Sequence, residues 1–224
     1  MAHPFWERKT WKDPEIQGAT GLEIYSATQD VTEENIFWLG FWTIFFGLDP
    51  TITQWLDRRE ESLALWDRWL ARGDRVVGIG SPDAHGLKRF GLSLGPYTTM
   101  FKLVRNHLLV REVSERELYG ALEQGRLFVA HDIVADAAGF QFLAVHRKSV
   151  VGVMGDRVKF KKKLRLYAYL PSPGEMILLK DGKRISAAEG QHDWFEVAGP
   201  GVYRMEATRG GKPWIYSNPI YVIE

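Results

Sequence analysis

A short apolar run that ends at a turn carrying an Asp and a His, residues 75–86, constrains the fold most strongly. Its sequence is RVVGIGSPDAHG. A few Val and Ile residues bounded by Gly and Pro are typical of a buried strand. Reactive groups in α/β proteins lie just after the carboxyl end of such a strand. Asp83 and His85 are therefore predicted at a strand end, and their i, i+2 spacing directs both side chains to the same side.

These two residues are candidate metal ligands, because a carboxylate oxygen and an imidazole nitrogen both bind divalent ions in proteins. The alternative is an ordinary turn in which Asp83 bonds its own backbone and His85 is exposed. The chain has no cysteine. This excludes disulfides, thiolate zinc sites and a cysteine nucleophile, so any metal must be held by His and carboxylates.

The segment Ser81–His85 resembles the Ser-Asp-Ala-His element that ends the metal site of the PHP family (polymerase and histidinol phosphatase), with Pro82 inserted. Ala2-His3-Pro4 and Gly21–Ser26 resemble two earlier elements of that family, in the same order. The fold implied is α/β: the C-terminal half of a distorted (βα)7 PHP barrel followed by a small antiparallel β-sandwich. The predicted domains are a partial barrel over 1–136 and a sandwich over 137–224.

The resemblance also implies a function and a ligand set. PHP proteins are metal-dependent phosphoesterases that use metal-activated water, so the implied substrate is a phosphorylated small molecule. The implied metal ligands are His3, Asp83 and His85, the implied catalytic residues are Asp83 and His85, and the implied ions are Mn, Fe or Zn.

One departure from the family pattern leaves the activity open. The family sequence opens with His-X-His, which this sequence lacks. We therefore expect the chain to be the C-terminal part of a longer protein, active as a hydrolase if the missing half is supplied. The alternative is a non-catalytic PHP remnant that acts as a binding or assembly module. A half-barrel would also have an open edge through which chains associate.

The segment Tyr97–Val110 resembles another PHP segment, which makes Arg105 and His107 candidate phosphate contacts. An Arg fork matches phosphate oxygens. The alternative is a strand whose polar residues face water. His131 and Asp132 follow a later strand, but adjacent side chains point apart along a strand, so we leave His131 out of the metal set.

The aromatic stretch 37–46 follows candidate helix caps at Asp30 and Thr32. About a dozen residues are too few to span a membrane, which needs about 20. The main interpretation is a buried core helix. The alternative is an interaction surface, because exposed aromatic clusters mark interfaces.

The last third of the chain changes character. After Gly139 helical periodicity ends, and short alternating runs are separated by turn residues. Asp181-Gly182 predicts a type I′ hairpin. Three aromatic residues are expected to fill a sandwich core, with a sugar-stacking face as the alternative: Tyr203, Trp214 and Tyr221.

The net charge and the N-terminal residues limit which partners and which compartment are expected. A net charge of +1 and a pI near 7.9 give no reason to expect nucleic-acid binding. The start of the sequence lacks the basic and apolar regions of a signal peptide. The expectation is a soluble protein without a membrane span, cytoplasmic rather than secreted.

Overall fold

The structure is a computed structural model that describes residues 2, 4, 16, 18–27, 33–86, 88–89, 92–93 and 96–224, with backbone alone for 33–36, 88–89 and 92–93. The helices in these ranges are α1 (Glu33–Phe46), α2 (Leu48–Gln54), α3 (Glu60–Ala71), α4 (Tyr97–Leu103) and α5 (Glu115–Gln124). The strands are β1 (Gly21–Ser26), β2 (Val77–Ser81), β3 (Lys88–Arg89), β4 (Leu92–Ser93), β5 (Arg105–Leu108), β6 (Leu127–Ala130), β7 (Gln141–His146), β8 (Ser149–Val153), β9 (Arg157–Lys159), β10 (Leu164–Lys180), β11 (Lys183–Glu196), β12 (Gly201–Arg209), β13 (Lys212–Ser217) and β14 (Ile220–Ile223).

A curled, ten-stranded and mainly antiparallel sheet forms most of the molecule. Its main path runs β5-β6-β13-β12-β10-β7-β8, with β11 paired to β10 and β14 joining β12 to β9. Side chains that alternate inward along β10 and its neighbours fill the curl, where Phe142, Leu166 and Trp214 are fully buried. This arrangement follows from the period-2 pattern that the last third of the sequence shows.

The predicted barrel is wrong. The described residues form more strand than helix, and neighbouring strands in the large sheet are mostly antiparallel. A (βα)7 barrel needs successive parallel strands joined by helices, and within the described ranges only β1 and β2 are a parallel pair connected in that way. Because the described residues form no such barrel, the association predicted through its open edge has no structural basis.

The expected separate sandwich is also replaced by this continuous sheet. The reason is the pairing of β6 with β13, in which Phe128–Ala130 lie opposite Ile215–Ser217. The boundary predicted between residues 136 and 137 falls in the loop between β6 and β7, and the division into two domains stays a prediction. The predicted hairpin is present, since Asp181 and Gly182 have φ of 50° and 76° and join β10 to β11.

Strand β2 lies beside the large sheet without a backbone ladder to it, and two asparagine side chains replace that ladder. Asn106 on β5 accepts a hydrogen bond from Gly80 N at 2.9 Å and donates to Gly80 O at 2.8 Å. Asn218 does the same at Gly78, at 2.8 and 2.9 Å, and also donates to Leu127 O. Each amide therefore satisfies a peptide group as a neighbouring strand would.

The two glycines of β2 permit this close packing. A Cβ at Gly78 would lie 2.6 Å from the Trp66 ring of α3, and one at Gly80 would lie 2.5 Å from Val104. Trp66 is buried, and its Nε1 donates to Val76 O at 2.8 Å. Helix α3 therefore packs directly on β1 and β2, and around it lies a second core that contains Leu22, Ile24, Leu63 and Trp69.

Buried charges join α3 to the large sheet. Arg204 on β12 binds both carboxylate oxygens of Asp67, at 2.7 and 2.6 Å, and reaches Glu206 at 2.5 Å. Glu206 is held from its other side by Arg58 at 2.7 and 2.9 Å. Burial alone would raise the pKa of Glu206, but the two guanidinium groups outweigh burial and hold that pKa below its usual range.

Candidate functional site

Three strand ends meet at one edge of the molecule, which we call the β2 edge. Strand β1 is parallel to β2, and β2 runs in the direction of β6, since Gly78 is tied through Asn218 to Leu127 and Gly80 lies against Val129. The carboxyl ends of β1, β2 and β6 therefore lie together. Reactive groups are commonly found at such an edge.

Asp83 and His85 meet at this edge, two and four residues after β2. The Oδ1 atom of Asp83 lies 2.9 Å from Nε2 of His85. Asp83 is partly buried, with 24% of its side chain exposed, whereas His85 is 76% exposed. The backbone N–H of Asp83 donates to Ser81 Oγ at 3.2 Å, and Asp83 has φ of 41°, a conformation that Asp tolerates better than most residues.

A carboxylate and an imidazole in this position supply two donors for a divalent ion. A catalytic metal site takes about three protein ligands. Among the described residues, no group of three or more His, Asp and Glu side chains is placed to hold a metal. His3, the third ligand that the PHP resemblance implies, lies outside the described residues. The described side chains alone therefore do not make a complete metal centre.

Arg105 and His107, the candidate phosphate contacts, both bind the buried carboxylate of Asp132. Arg105 Nη1 lies 2.9 Å from Oδ2, and His107 Nε2 lies 3.1 Å from each carboxylate oxygen. Burial alone would raise the pKa of Asp132, but the interaction with His107 and the hydrogen bonds from the Ala137 backbone and from Arg105 outweigh it and hold the pKa below its ordinary value. His107 also stacks on Phe128. The expected strand begins only at Arg105, because residues 97–103 form α4.

His131 is a buried residue of the core below this edge. Its Nδ1 donates to Leu103 O at 2.6 Å, and its ring contacts Tyr25 edge-on at 4.3 Å. Nε2 has no hydrogen-bond partner among the residues described. Burial lowers the pKa of His131 to about 4, so the imidazole is neutral at physiological pH.

The second candidate surface is helix α1. The interpretation of α1 as a buried core helix is wrong: seven of its apolar side chains are each at least 40% exposed. We call this set the aromatic face, and it consists of Phe37, Trp38, Phe41, Trp42, Ile44, Phe45 and Phe46. At about 100° per residue these positions cover about 200° of the helix circumference. Leu39 lies outside that arc and is buried.

An apolar cleft adjoins the aromatic face. Its volume is about 380 Å³, and its wall is formed by α1, α2 and the residue after α2: Trp42, Phe46, Pro50, Thr51, Gln54 and Trp55. Ligand pockets begin at about this size. From residue 35 to residue 48 the sequence has no charged side chain. The aromatic face and the residues that line the cleft therefore form one apolar surface without a charged side chain.

The aromatic residues proposed for a sugar-stacking face do not form one. Tyr203 and Trp214 are fully buried, and their polar atoms bond to Gly199 O and Ala135 O. Tyr221 is partly buried beneath the guanidinium of Arg75. The expected core role is therefore confirmed for Tyr203 and Trp214.

Comparison of the chain with protein-family models, with curated proteins and with solved structures returned no match. The resemblance to the PHP family stays a prediction. None of the helices in the described ranges has the length and apolar character needed to cross a membrane.

Sequence reasoning missed two functional features of these surfaces. Asp132 was not identified as the partner of Arg105 and His107, since that contact depends on the pairing of β5 with β6. The cleft beside α1 was also missed. The sequence feature that could have indicated the cleft is the turn from Gly47 to Pro50, which ends α1 and folds α2 back against it. The sequence does not specify the angle between the two helices.

Proposed function

We propose that this chain acts as a binding or assembly module and that the aromatic face of α1 is its binding surface. The observation that carries the proposal is the exposure of seven large apolar side chains on one helix. Monomeric proteins rarely leave such a contiguous apolar patch in water. Interfaces are enriched in Trp and Phe at their centres.

The described side chains at the β2 edge do not by themselves complete an enzyme site. The described residues bring two metal donors together there, one fewer than a catalytic site requires. Arg105 and His107 already bind Asp132, so these side chains have a partner within the chain. An association surface, in contrast, needs no further group to be complete.

Site-specific photocrosslinking tests this function. A photoreactive phenylalanine analogue replaces Phe45 in one variant and Ile185 in a matched control, because Ile185 is an exposed apolar residue on β11. After irradiation in the producing cells, we expect a covalent adduct of defined mass from position 45 and none from position 185. Equal labelling at both positions, or none at position 45, would contradict the proposal.

The second candidate is hydrolysis of a phosphate ester by a metal-dependent PHP-type site, and the Asp83–His85 contact favours it. It requires a third ligand, for which His3 is the residue the resemblance implies. The test is Mn²⁺ binding by the purified chain, together with turnover of a chromogenic phosphate ester. Asp83→Asn, His85→Gln and His3→Gln should each lower metal content by at least about tenfold.

The matched control for the metal test is His192→Gln, which removes an exposed imidazole on β11. If the wild-type chain binds no Mn²⁺, or if His192→Gln reduces binding as much as His85→Gln, the second candidate is wrong. Removal of metal by a chelator should abolish turnover in the wild-type chain if the candidate is correct.

A further inference from the structure

We infer that the occupant of the aromatic face is a second copy of this chain, so that the protein is a two-fold symmetric homodimer. This inference rests on the proposed function and names its partner. Three observations support it: the shape of the surface, its charge and its area.

The surface contains both a projecting and a receiving element. Phe45 and Ile44 project from α1 with about two thirds of their surface exposed. The apolar cleft that Trp42, Phe46 and Trp55 help to line lies on the side of α1 next to Phe45, which is about 60° around the helix from Trp42. In a two-fold dimer the same patch is used on both subunits, so each copy offers its projecting residues to the cleft of the other. A surface with both elements is complementary to itself.

Charge also favours pairing of identical surfaces. A two-fold axis places like charges near each other, and repulsion between them opposes association. The segment from residue 35 to residue 48 carries no charged side chain, so two copies of the aromatic face bring no like charges together. A basic or acidic partner, in contrast, would find no complementary charge on the aromatic face.

The exposed area matches what a stable dimer needs. An aromatic side chain has about 150–250 Å² of surface, and the members of the aromatic face and Trp55 are between 37% and 69% exposed. Together they offer roughly 800 Å². A standard interface buries about 800 Å² on each partner, so this patch alone supplies the area of one subunit's contribution.

Sedimentation velocity of the purified chain tests the dimer directly. Interfaces of this size have dissociation constants of about 1 µM or less, so the wild-type chain should sediment as a dimer at about 10 µM. Phe45→Glu should weaken the dimer at least about 100-fold, because it buries an unpaired carboxylate in the apolar cleft of each partner. Phe45→Ser is a second, uncharged variant, and the matched control Ile185→Glu should remain dimeric.

Circular dichroism checks that each variant is folded, which we expect because Phe45 is exposed. A monomeric wild-type chain at about 10 µM, or a dimer that survives both substitutions at Phe45, overturns the inference. Flotation with phosphatidylcholine vesicles tests whether a lipid surface covers the aromatic face instead. If the chain is monomeric and floats with the vesicles, and Phe45→Glu abolishes flotation, the aromatic face binds lipid. In that case the crosslink at position 45 still supports a binding surface while the homodimer is wrong.

Discussion

Helices α1 and α3 use similar residues with opposite results. Each carries two tryptophans, yet Trp66 and Trp69 of α3 are buried, whereas Trp38 and Trp42 of α1 are exposed. In α3 the apolar residues lie on one side, with Glu60, Glu61 and Arg68 exposed on the other. In α1 the apolar residues extend around most of the helix. Burial in this molecule therefore follows the segregation of polar and apolar residues more than their number.

The contacts of the two helices explain the difference. The connection from β1 to β2 places α3 across the parallel pair, where Trp66 fills the space above Gly78. Of the two, only α3 is tied to the large sheet by a buried ion pair among the described residues, through Asp67 and Arg204. Helix α1 packs mainly on α2. The same kind of side chain thus stabilises the fold in one helix and is available for association in the other.

The sharpest test of this comparison is a pair of tryptophan substitutions. Trp66→Ala should lower the free energy of unfolding by about 4 kcal/mol, because it leaves a cavity and removes the bond to Val76 O. Trp38→Ala should change it by no more than about 0.5 kcal/mol in the monomer. Chemical denaturation of both variants measures the difference. Equal losses would show that α1 contributes to the core as α3 does.

A smaller effect is expected where α3 is tied to the sheet. Glu206→Gln removes the carboxylate between Arg58 and Arg204, and it should cost about 3 kcal/mol because it leaves buried positive charge uncompensated. Glu60→Gln is the matched control, since Glu60 also contacts Arg58 but is 71% exposed. Its effect should be below about 1 kcal/mol. Denaturation at pH 7 compares the two, and similar losses would mean that the buried network is not what fixes α3.

The core beneath α3 should also respond to pH. The pKa of His131 is about 4 in the folded chain and 6.5 when unfolded, so the unfolded chain binds more protons between these values. The free energy of unfolding therefore has its full value above pH 6.5 and falls by up to about 3 kcal/mol as the pH drops to 4.

His131→Asn isolates this contribution, because an asparagine amide can donate to Leu103 O but does not titrate in that range. The difference in unfolding free energy between wild type and variant should change with pH between 6.5 and 4 and be constant above 6.5. Parallel curves for the two proteins would show that His131 is accessible to protons in the folded chain.

Local features could be predicted from the sequence because their causes are local. The run 75–80 and its turn identified β2. Ser114 and Glu117 have the spacing of a capping box, and Ser114 Oγ accepts from Glu117 N at the start of α5. Asp181-Gly182 specified its hairpin in the same way. The convergence of Asp83 and His85 also follows from two positions in one turn.

Long-range features could not be predicted in this way. The pairing of β6 with β13 decides that the chain forms a curled sheet, and nothing near Val129 in the sequence indicates that Tyr216 is its cross-strand partner. In the sequence, nothing distinguishes Asn106 and Asn218 from other polar residues, although their amides attach β2 to the sheet. The exposure of α1 was not predictable because an all-round apolar pattern is normally that of a buried helix.

The asparagine attachment also constrains the order in which the chain can fold. Gly78 and Asn218 are 140 positions apart, so the ribosome releases β2 long before the residue that completes its attachment. Contacts between residues so distant in sequence form slowly, and until they form the peptide groups of Gly78 depend on water. The attachment of the first βαβ unit at Gly78 therefore cannot be completed until Asn218 has been synthesised. A nascent chain interrupted before Asn218 would have β2 attached only through Asn106 at Gly80, and the unit would be open to misassembly.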